Sequence, residues 1–580
     1  MATRTRRSTR RSAPAKKKST STKPALPTIP PGQRVWLLEL PWGGLDGGKP
    51  AGVTYYKALT AHAYVGVSLP ERLAPYASKP YSYLRWMEDE LNGAKGPGAT
   101  SSPMHLRPEQ RDDVRAIVDV AARGLRQCHL GNQVGTGKTL VAVAAMKVIA
   151  HMRGAKTVLV TVDRPARITI PSWRRTIAAL GDDDLRWIVI SSDSLGKLIG
   201  RNGRLKIVPD LAAIDESHQF RHDSKRTKFM RRLTRMDAPP EKAPFVLTIS
   251  ATPGHHPGEW GGALSSLYAQ VHGDPPAEWA EFGKKLASLG VPLELSYGRW
   301  TWTPEAKKSL QVQQDAISSV RDILTRHDPP LMLTRAAPWG PAPFDVDLID
   351  LTPEQWRAYE LEWGDFQREM KLARSGNNVA RGLAAIVRLR QKASMIRVEH
   401  TVDAVRAELE RGFQVLVATE MVSTAAHPVA EMLEEHGVSV ARIYGSNPEA
   451  ESERMRFQRG EAKVVVFNTP TAINLQAEEL FEDGTRATST PRRGFMHQAS
   501  YSGLRAEQIM GRAHRNFQVC EWSLVAGVGT IEEKAGLIML SRLIASTTST
   551  NGDVSALSEV ASVFGADWIP AAQLAPELEQ

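Results

Sequence analysis

The sequence predicts an α/β protein of two tandem lobes, each built on a doubly wound parallel sheet. With 580 residues the chain is too long for one hydrophobic core. Short β-branched apolar runs alternate with helix-length segments, which is typical of parallel sheets covered by helices. This alternation occurs twice along the chain. The predicted strands are 157–162, 188–190, 211–214 and 245–249 in the first series, and 415–419, 439–443, 463–467 and 523–526 in the second.

The composition excludes several classes of protein. Hydrophobic residues make up 42% of the chain and charged residues 24%, which argues against collagen, wholesale disorder and a membrane bundle. No run approaches 18 apolar residues, so we expect no membrane partner. The two cysteines, Cys128 and Cys520, exclude a disulfide framework and give no zinc signature. We therefore expect a cytoplasmic protein.

The excess positive charge is concentrated at the N-terminus. The chain carries 74 Lys and Arg against 63 Asp and Glu, a net charge of +11. Ten of the positive residues lie between Met1 and Arg34, and the first acidic residue is Glu39. We predict that residues 1–33 form a disordered basic tail. It could contact nucleic acid, remain a solvated tail, or act as a targeting peptide, although an export signal would need an apolar segment that is missing.

Changes in composition predict the domain boundaries. After the tail, we expect a small accessory module at 34–103, whose role the sequence does not indicate. A Gly/Pro/Ser stretch marks its C-terminal boundary. A polar, helix-rich interval separates the two strand series, and no chemistry is identifiable in the last segment. The remaining predicted units are a first lobe at 104–261, a helical insertion or linker leading into the second lobe at 262–400, a second lobe at 401–545, and a C-terminal extension at 546–580.

A phosphate-binding loop is predicted immediately before a helix-forming run. NQVGTGKT at 132–139 matches the P-loop pattern except that Asn132 replaces the usual first glycine. Backbone N–H groups at a helix N-terminus form an anion cradle, and they do not depend on that glycine. Most Gly-rich turns before helices are only turns. The functional interpretation assigns ATP binding and Mg²⁺ to this loop, with Lys138 reaching the β- and γ-phosphates, Thr139 binding the metal, and Gly135, Thr136 and Gly137 forming the cradle.

An acidic pair follows a predicted strand of the same series. Asp215 and Glu216 come directly after the strand at 211–214. Beside a phosphate cradle, Asp215 suits a magnesium carboxylate and Glu216 a base for the attacking water. On its own, such a pair is more often a solvated acidic turn, so this interpretation depends on the P-loop.

A set of motifs in fixed order resembles superfamily-two helicases. The motifs are DESH at 215–218, SATP at 250–253 and QIMGRAHR at 508–515. Further segments resemble the Swi/Snf-like branch, in a compact phage or bacterial form, and the match extends over about 104–545. These segments are LRPEQR at 106–111, LTPEQ at 351–355, LRQ at 389–391, YGS at 444–446, RFQ at 456–458 and GTIEE at 529–533.

The resemblance implies two RecA-like lobes that close on ATP, with Mg²⁺ as cofactor. Gln110 would read the adenine edge, and Arg512 and Arg515 would face the γ-phosphate from the second lobe. A planar guanidinium suits that position because it neutralises charge in the transition state. Gln508 would position water or phosphate. The residues that would couple hydrolysis to lobe movement are His218, Ser250 and Thr252. The alternative for the two arginines is an exposed basic helix face.

Contacts with nucleic acid are less well defined. The resemblance implies Ser191 and Asn474, and it includes Trp173, which is more often a packing residue. The segment 468–475 departs from the family pattern, and an insertion is expected at 481–493. These departures place the second lobe's nucleic-acid contacts in doubt but leave the ATP site intact.

Three functions remain open from the sequence. The first is an ATP-hydrolysing translocase or helicase on DNA, acting in replication, recombination or repair, on double-stranded DNA without sequence preference. The second is an RNA-stimulated helicase, and the third is a nucleotide-gated scaffold without enzymatic activity. A scaffold has no need of Glu216 and Arg515. Protein partners are not readable.

Overall fold

A computed structural model describes most of the chain between 106 and 550. Nearly all of the predicted basic tail, residues 78–105 and most of the C-terminal extension lie outside the described residues. The described residues are 30, 33–38, 40, 50–56, 61–77, 106–163, 166–180, 185–235, 243–261, 264–265, 267, 271, 279–296, 299–376, 378–444, 447–468, 473–481, 484–550, 554–555, 557 and 560.

The N-terminal part that the structure describes is a three-stranded antiparallel sheet. Its strands are β1 (Arg34–Leu38), β2 (Val53–Tyr56) and β3 (Ala61–Gly66), in the order β1-β3-β2. Leu38, Val53 and Leu73 form a small core beside it. The boundaries predicted for the accessory module stay predictions.

The first lobe is built on six parallel strands in the order β11-β4-β8-β7-β5-β6. Its inner strands are buried on both faces, as a parallel sheet between helix layers requires. The strands are β4 (Gln127–Leu130), β5 (Thr157–Val162), β6 (Arg186–Ser191), β7 (Leu211–Ile214), β8 (Phe245–Ile249) and β11 (Met332–Leu333). The first helices are α1 (Pro108–Ala122), α2 (Lys138–Arg153), α3 (Ala166–Ala179) and α4 (Lys225–Thr234).

The second lobe repeats this architecture with six parallel strands in the order β12-β17-β16-β13-β15-β14. The strands are β12 (Phe344–Ile349), β13 (Gln414–Ala418), β14 (Val440–Ile443), β15 (Val464–Phe467), β16 (Arg492–Met496) and β17 (Cys520–Gly527). The two sheets match the predicted arrangement of tandem RecA-like lobes, and the fold class is confirmed.

Helices and a short ribbon complete the lobes and connect them. The antiparallel ribbon pairs β9 (Leu293–Ser296) with β10 (Arg299–Trp302). The chain passes from one sheet to the other between β11 and β12, inside the predicted linker. The later helices are α5 (Trp279–Ser288), α6 (Pro304–Lys307), α7 (Leu310–Thr325), α8 (Pro353–Ser375), α9 (Val379–Ile396), α10 (Val398–Glu410), α11 (His427–Glu435), α12 (Ala450–Gln458), α13 (Gly503–Met510) and α14 (Ile531–Ser549).

The predicted strands agree closely with the structure, and the exceptions have physical causes. All eight are present, but β4, β11, β12 and β16 were not predicted. Residues 492–493, assigned from sequence to an insertion, instead begin β16 and are buried. In the part of the chain that the structure describes, no helix is both long and apolar enough to cross a membrane.

Candidate nucleotide site between the two lobes

The predicted P-loop joins the end of β4 to the start of α2. Gly135 and Gly137 adopt positive φ angles of 87° and 82°, which residues with a Cβ rarely adopt. Gly137 is also the N-terminal cap of α2, so the helix begins at Lys138. The N-terminal end of this helix therefore adjoins the loop, an arrangement in which backbone N–H groups can form a phosphate cradle.

Side chains packed against the P-loop hold it in place through hydrogen bonds. The side-chain amide of Asn132 donates to Asp113 Oδ2 at 2.7 Å, and Arg335 donates to the same oxygen at 2.5 Å. Burial raises the pKa of Asp113 to about 6, and the contacts with Arg335 and Asn132 oppose that rise. Gln133 N donates to Arg335 O at 3.0 Å. The connector between the lobes thus supports the P-loop directly.

Lys138 is folded back onto its own loop. Its Nζ donates to the carbonyl oxygens of Asn132 and Gln133, at 2.7 and 3.1 Å. Burial lowers the pKa of Lys138, while the nearby carboxylates of Glu216 and Asp215 raise it. The P-loop lysine and the acidic pair therefore share one electrostatic environment.

Gln110 lies against the P-loop. Its Nε2 donates to Thr136 O at 2.8 Å, and its Oε1 accepts from Arg107 N at 2.9 Å. A Cβ at position 137 would lie 2.3 Å from this Nε2, so the side chain occupies the space that Gly137 leaves open. One donor and one acceptor position of the Gln110 amide remain for a ligand. Its predicted role at adenine stays a prediction.

The acidic pair lies where β7 ends, as predicted. Glu216 has a φ of 46°, an unfavourable conformation for a side chain of this kind and one that concentrates at functional sites. Trp173 is 2% exposed, and its Nε1 donates to Asp215 Oδ2 at 2.8 Å. The packing role favoured for Trp173 is therefore what the structure shows.

The pKa values of the two carboxyl groups are shifted in opposite directions. Burial and the neighbouring Glu216 raise the pKa of Asp215 to about 7, against the hydrogen bond from Trp173. Burial would also raise the pKa of Glu216, but His218 and Lys138 hold it below its ordinary value. Glu216 is therefore the ionised member of the pair near neutral pH, which suits a base.

Residues of the second lobe reach the acidic pair and the P-loop. Gln508, on α13, donates from Nε2 to Glu216 Oε1 at 3.2 Å. A Cβ on Gly135 would lie 3.4 Å from Arg515 Cβ, so Arg515 lies against the cradle. Among the described residues, Arg515 Nε has no hydrogen-bond partner. Burial and Arg515 lower the pKa of Arg512 to about 9, against the attraction of Glu216.

The three predicted coupling residues form a chain of contacts. His218 Nδ1 lies 3.3 Å from Glu216 Oε2 and 3.1 Å from Ser250 Oγ. Ser250 Oγ donates to Thr252 O at 2.8 Å. The hydroxyl of Thr252 contacts that of Ser546, a residue of α14 that no sequence motif indicated. Asp113 and Arg335 were missed for the same reason, because only the fold brings them to Asn132.

An aromatic and basic cluster borders the P-loop. Arg107 donates to Thr136 O at 3.0 Å and lies 5.8 Å from the ring centre of Trp339. Trp339 contacts Phe517 edge-on, with 5.8 Å between ring centres. Phe517 is 70% exposed at a φ of 65°, directly after Arg515 and Asn516. The connector and the second lobe therefore both contribute to this side of the cleft.

The weaker nucleic-acid residues are not brought together by any contact described. Ser191 ends β6 and is 8% exposed. Asn474 is half-buried, and its Oδ1 accepts from Gln476 N at 3.3 Å. Their assignment to nucleic acid stays a prediction.

The fold and this geometry define a protein of two tandem α/β lobes that share one cleft. No protein family and no curated protein matches the chain. Among solved structures, it is similar to the Sulfolobus solfataricus SWI2/SNF2 ATPase core in complex with dsDNA, at 15% identity and a TM-score of 0.29, over 82% of this chain and 98% of that one.

Two further structures are similar to this chain. The Sulfolobus solfataricus SWI2/SNF2 ATPase core domain has 17% identity and a TM-score of 0.32, over 80% of this chain and 95% of that one. The Pyrococcus furiosus Hef helicase domain has 15% identity and a TM-score of 0.34, over 74% and 97%. These structures include the Swi/Snf branch that the motifs resemble. At such identities and scores the likeness carries no functional argument, so the function is inferred from the site.

Proposed function

We propose that this chain is an ATP-dependent DNA translocase or helicase that acts in replication, recombination or repair. The observation that carries the proposal is the contact between Gln508 of the second lobe and Glu216 of the first. A base in one lobe and an arginine in the other form a complete hydrolytic site only when the lobes are together. A binding scaffold would not need either group.

The residues of the cleft fit ATP with Mg²⁺. Thr139 and Asp215 offer the hard oxygen ligands that Mg²⁺ prefers, and the metal would neutralise charge on the phosphates. Among the described residues, no group of three or more His, Cys, Asp or Glu could hold a metal alone.

The steps of hydrolysis follow from the positions of the side chains. Lys138 would exchange its two loop carbonyls for the β- and γ-phosphates. Glu216, ionised and hydrogen-bonded, would orient the attacking water and accept its proton. Arg515, beside Gly135, would bind the γ-phosphate from the second lobe. ATP would therefore hold the lobes closed, and phosphate release would allow them to open.

A polyanionic partner is supported by an exposed basic surface on the first lobe. Lys225, Lys228 and Arg232 are exposed on α4. The turn that carries exposed Arg201 packs beside them, because a Cβ on Gly203 would lie 3.0 Å from Arg232. Phosphate backbones are bound by such surfaces without sequence preference and in a salt-dependent way. Together with the helicase motifs, this surface favours a nucleic acid as the track.

ATP hydrolysis in the presence of different polynucleotides tests the proposal. At fixed salt, duplex DNA should raise the turnover of the wild-type protein more than RNA does, and Lys138→Ala and Glu216→Gln should abolish it. Greater stimulation by RNA would favour the RNA helicase. The proposal would be refuted by turnover that neither DNA nor RNA raises.

Movement on DNA needs a separate assay. Displacement of a third strand from a triplex reports translocation along a duplex, whereas unwinding of a forked duplex reports strand separation. We expect triplex displacement that requires ATP and is lost in Lys138→Ala. An ATPase stimulated by DNA that displaces no third strand and unwinds no fork would contradict a motor.

A further inference from the structure

Helix α14 extends from the second lobe to the first. At its start, Ile531 N donates to Tyr359 Oη of α8 at 2.8 Å. At its end, Arg321 Nη1 of α7 donates to Thr548 O at 2.7 Å, and Ala545 packs in the core of the first lobe. The helix therefore contacts both lobes.

Ser546 lies at the point where this helix meets both halves of the site. Its side chain is fully buried. Its Oγ donates to Glu507 Oε2 at 2.6 Å and also contacts Thr252 Oγ1. A hydroxyl has one donor and two acceptor positions, so Ser546 can donate to Glu507 while it accepts from Thr252. Thr252 belongs to the first lobe and Glu507 to α13 of the second.

Both side chains that contact the Ser546 hydroxyl, Thr252 and Glu507, are connected to Glu216. On one side, Thr252 is linked through Ser250 and His218 to Glu216 Oε2. On the other side, Glu507 precedes Gln508, which donates to Glu216 Oε1. The two oxygens of one carboxylate are thus connected to consecutive residues of α13. One connection is direct, and the other passes through Ser546.

We propose that Ser546 is a positioning residue of the hydrolytic site, which holds residues 250–252 to α13 and so fixes Glu216 relative to Gln508. The inference rests on the proposed ATP hydrolysis and extends it to a residue outside the helicase motifs. In the hydrogen bonds described, the Ser546 hydroxyl contacts only Glu507 and Thr252. It acts by keeping a buried carboxylate and a buried hydroxyl paired across the lobes, because either group is costly to leave unpaired.

The same helix offers a matched control for the test. Ser549 is 1% exposed, and its Oγ donates only to Ser546 O, at 2.7 Å, in the hydrogen bonds described. Ser546→Ala and Ser549→Ala therefore each remove one buried serine hydroxyl from the same helix. Only Ser546→Ala breaks a contact between the lobes. We expect Ser546→Ala to lower the DNA-stimulated kcat by roughly fivefold or more, with the KM for ATP within about twofold. Ser549→Ala should leave both within about twofold.

A double-mutant cycle separates positioning from a loss of stability. Thr252→Ala and the double variant Thr252→Ala/Ser546→Ala are assayed below the melting temperatures of all four proteins. If the hydroxyls act as one unit, the double variant has the kcat of Thr252→Ala alone. Independent, multiplying effects on kcat would overturn the inference, as would equal kcat values for Ser546→Ala and Ser549→Ala in an active enzyme. A wild-type protein without ATP hydrolysis would instead overturn the proposed function and this inference with it.

Discussion

The contact between α13 and α14 gives a prediction whose magnitude follows from the structure. A Cβ on Gly503 would lie 2.2 Å from the backbone atoms Arg542 C and Leu543 N. Ordinary van der Waals contact begins at 3.4 Å, so Gly503→Ala must move the helices about 1.2 Å apart. The obstructing atoms are backbone and cannot rotate away. Overpacking of this kind costs about 1–3 kcal/mol, sometimes more.

Thermal denaturation and ATP turnover measure the effect of Gly503→Ala. For a lobe of this size, that cost corresponds to a melting temperature lower by roughly 3–10 °C. Because α13 carries Gln508, a displacement near 1 Å at the site should lower kcat by up to about 100-fold.

A glycine with open space around it provides the control. Gly364 lies in α8 with no atom within 4 Å of an added Cβ. Gly364→Ala should stabilise the protein by about 1 kcal/mol through helix propensity, without changing turnover. A Gly503→Ala protein with the melting temperature and kcat of wild type would show that α13 and α14 do not pack as described.

Three further predictions concern the supports of the site. The pKa of Asp113 is about 6 in the folded chain and ~3.9 in an unfolded one, so the folded state binds this proton more tightly. The stability of the protein should therefore fall as the pH rises from about 4 to 6. Asp113→Asn cannot titrate, so the drop in melting temperature between pH 4.5 and 6.5 should be smaller than in wild type; an equal drop contradicts this. Arg335→Ala removes one hydrogen-bond partner of the Asp113 carboxyl, so it should lower the free energy of unfolding by about 1–3 kcal/mol. Urea denaturation measures this loss, and an unchanged midpoint would contradict it. Trp173→Phe removes a donor to Asp215, so half-maximal ATP hydrolysis should require more Mg²⁺; an identical Mg²⁺ titration would speak against that contact.

Apolar buried runs made several strands predictable, whereas buried polar side chains concealed β4 and β16. The runs at 157–162, 211–214 and 245–249 match their strands residue for residue, because β-branched and apolar side chains fill both faces of the sheet. In β4, Gln127 and His129 interrupt the apolar pattern although both are fully buried.

The same limit explains why the first two residues of β16 were assigned to an insertion. The strand begins with Arg492 and Arg493, which are 2% and 7% exposed. Arg492 can be buried because it donates to Gln458 and Thr488, side chains brought to it by the fold. A pattern of local hydropathy carries no information about such partners.

The residues of the nucleotide site also fall into those that the sequence predicts and those that only the fold reveals. The P-loop and the acidic pair are short local patterns with a known chemistry, so their residues could be named from sequence. Ser546 and Thr252 are 294 residues apart, and a serine in a Ser/Thr-rich helix end carries no signal of its own. Asp113 is similar, because it and its partners Asn132 and Arg335 lie on three separate segments of the chain.

The central claim is that one ATP site is formed by both lobes, and Arg515→Ala tests it most directly. ATP turnover with saturating DNA and ATP affinity are measured on the same preparation. Because Arg515 lies against Gly135 but belongs to the second lobe, we predict a kcat lower by ~10³-fold, with ATP affinity changed far less. Turnover within about twofold of wild type would contradict the claim, since the first lobe would then hydrolyse ATP without the second.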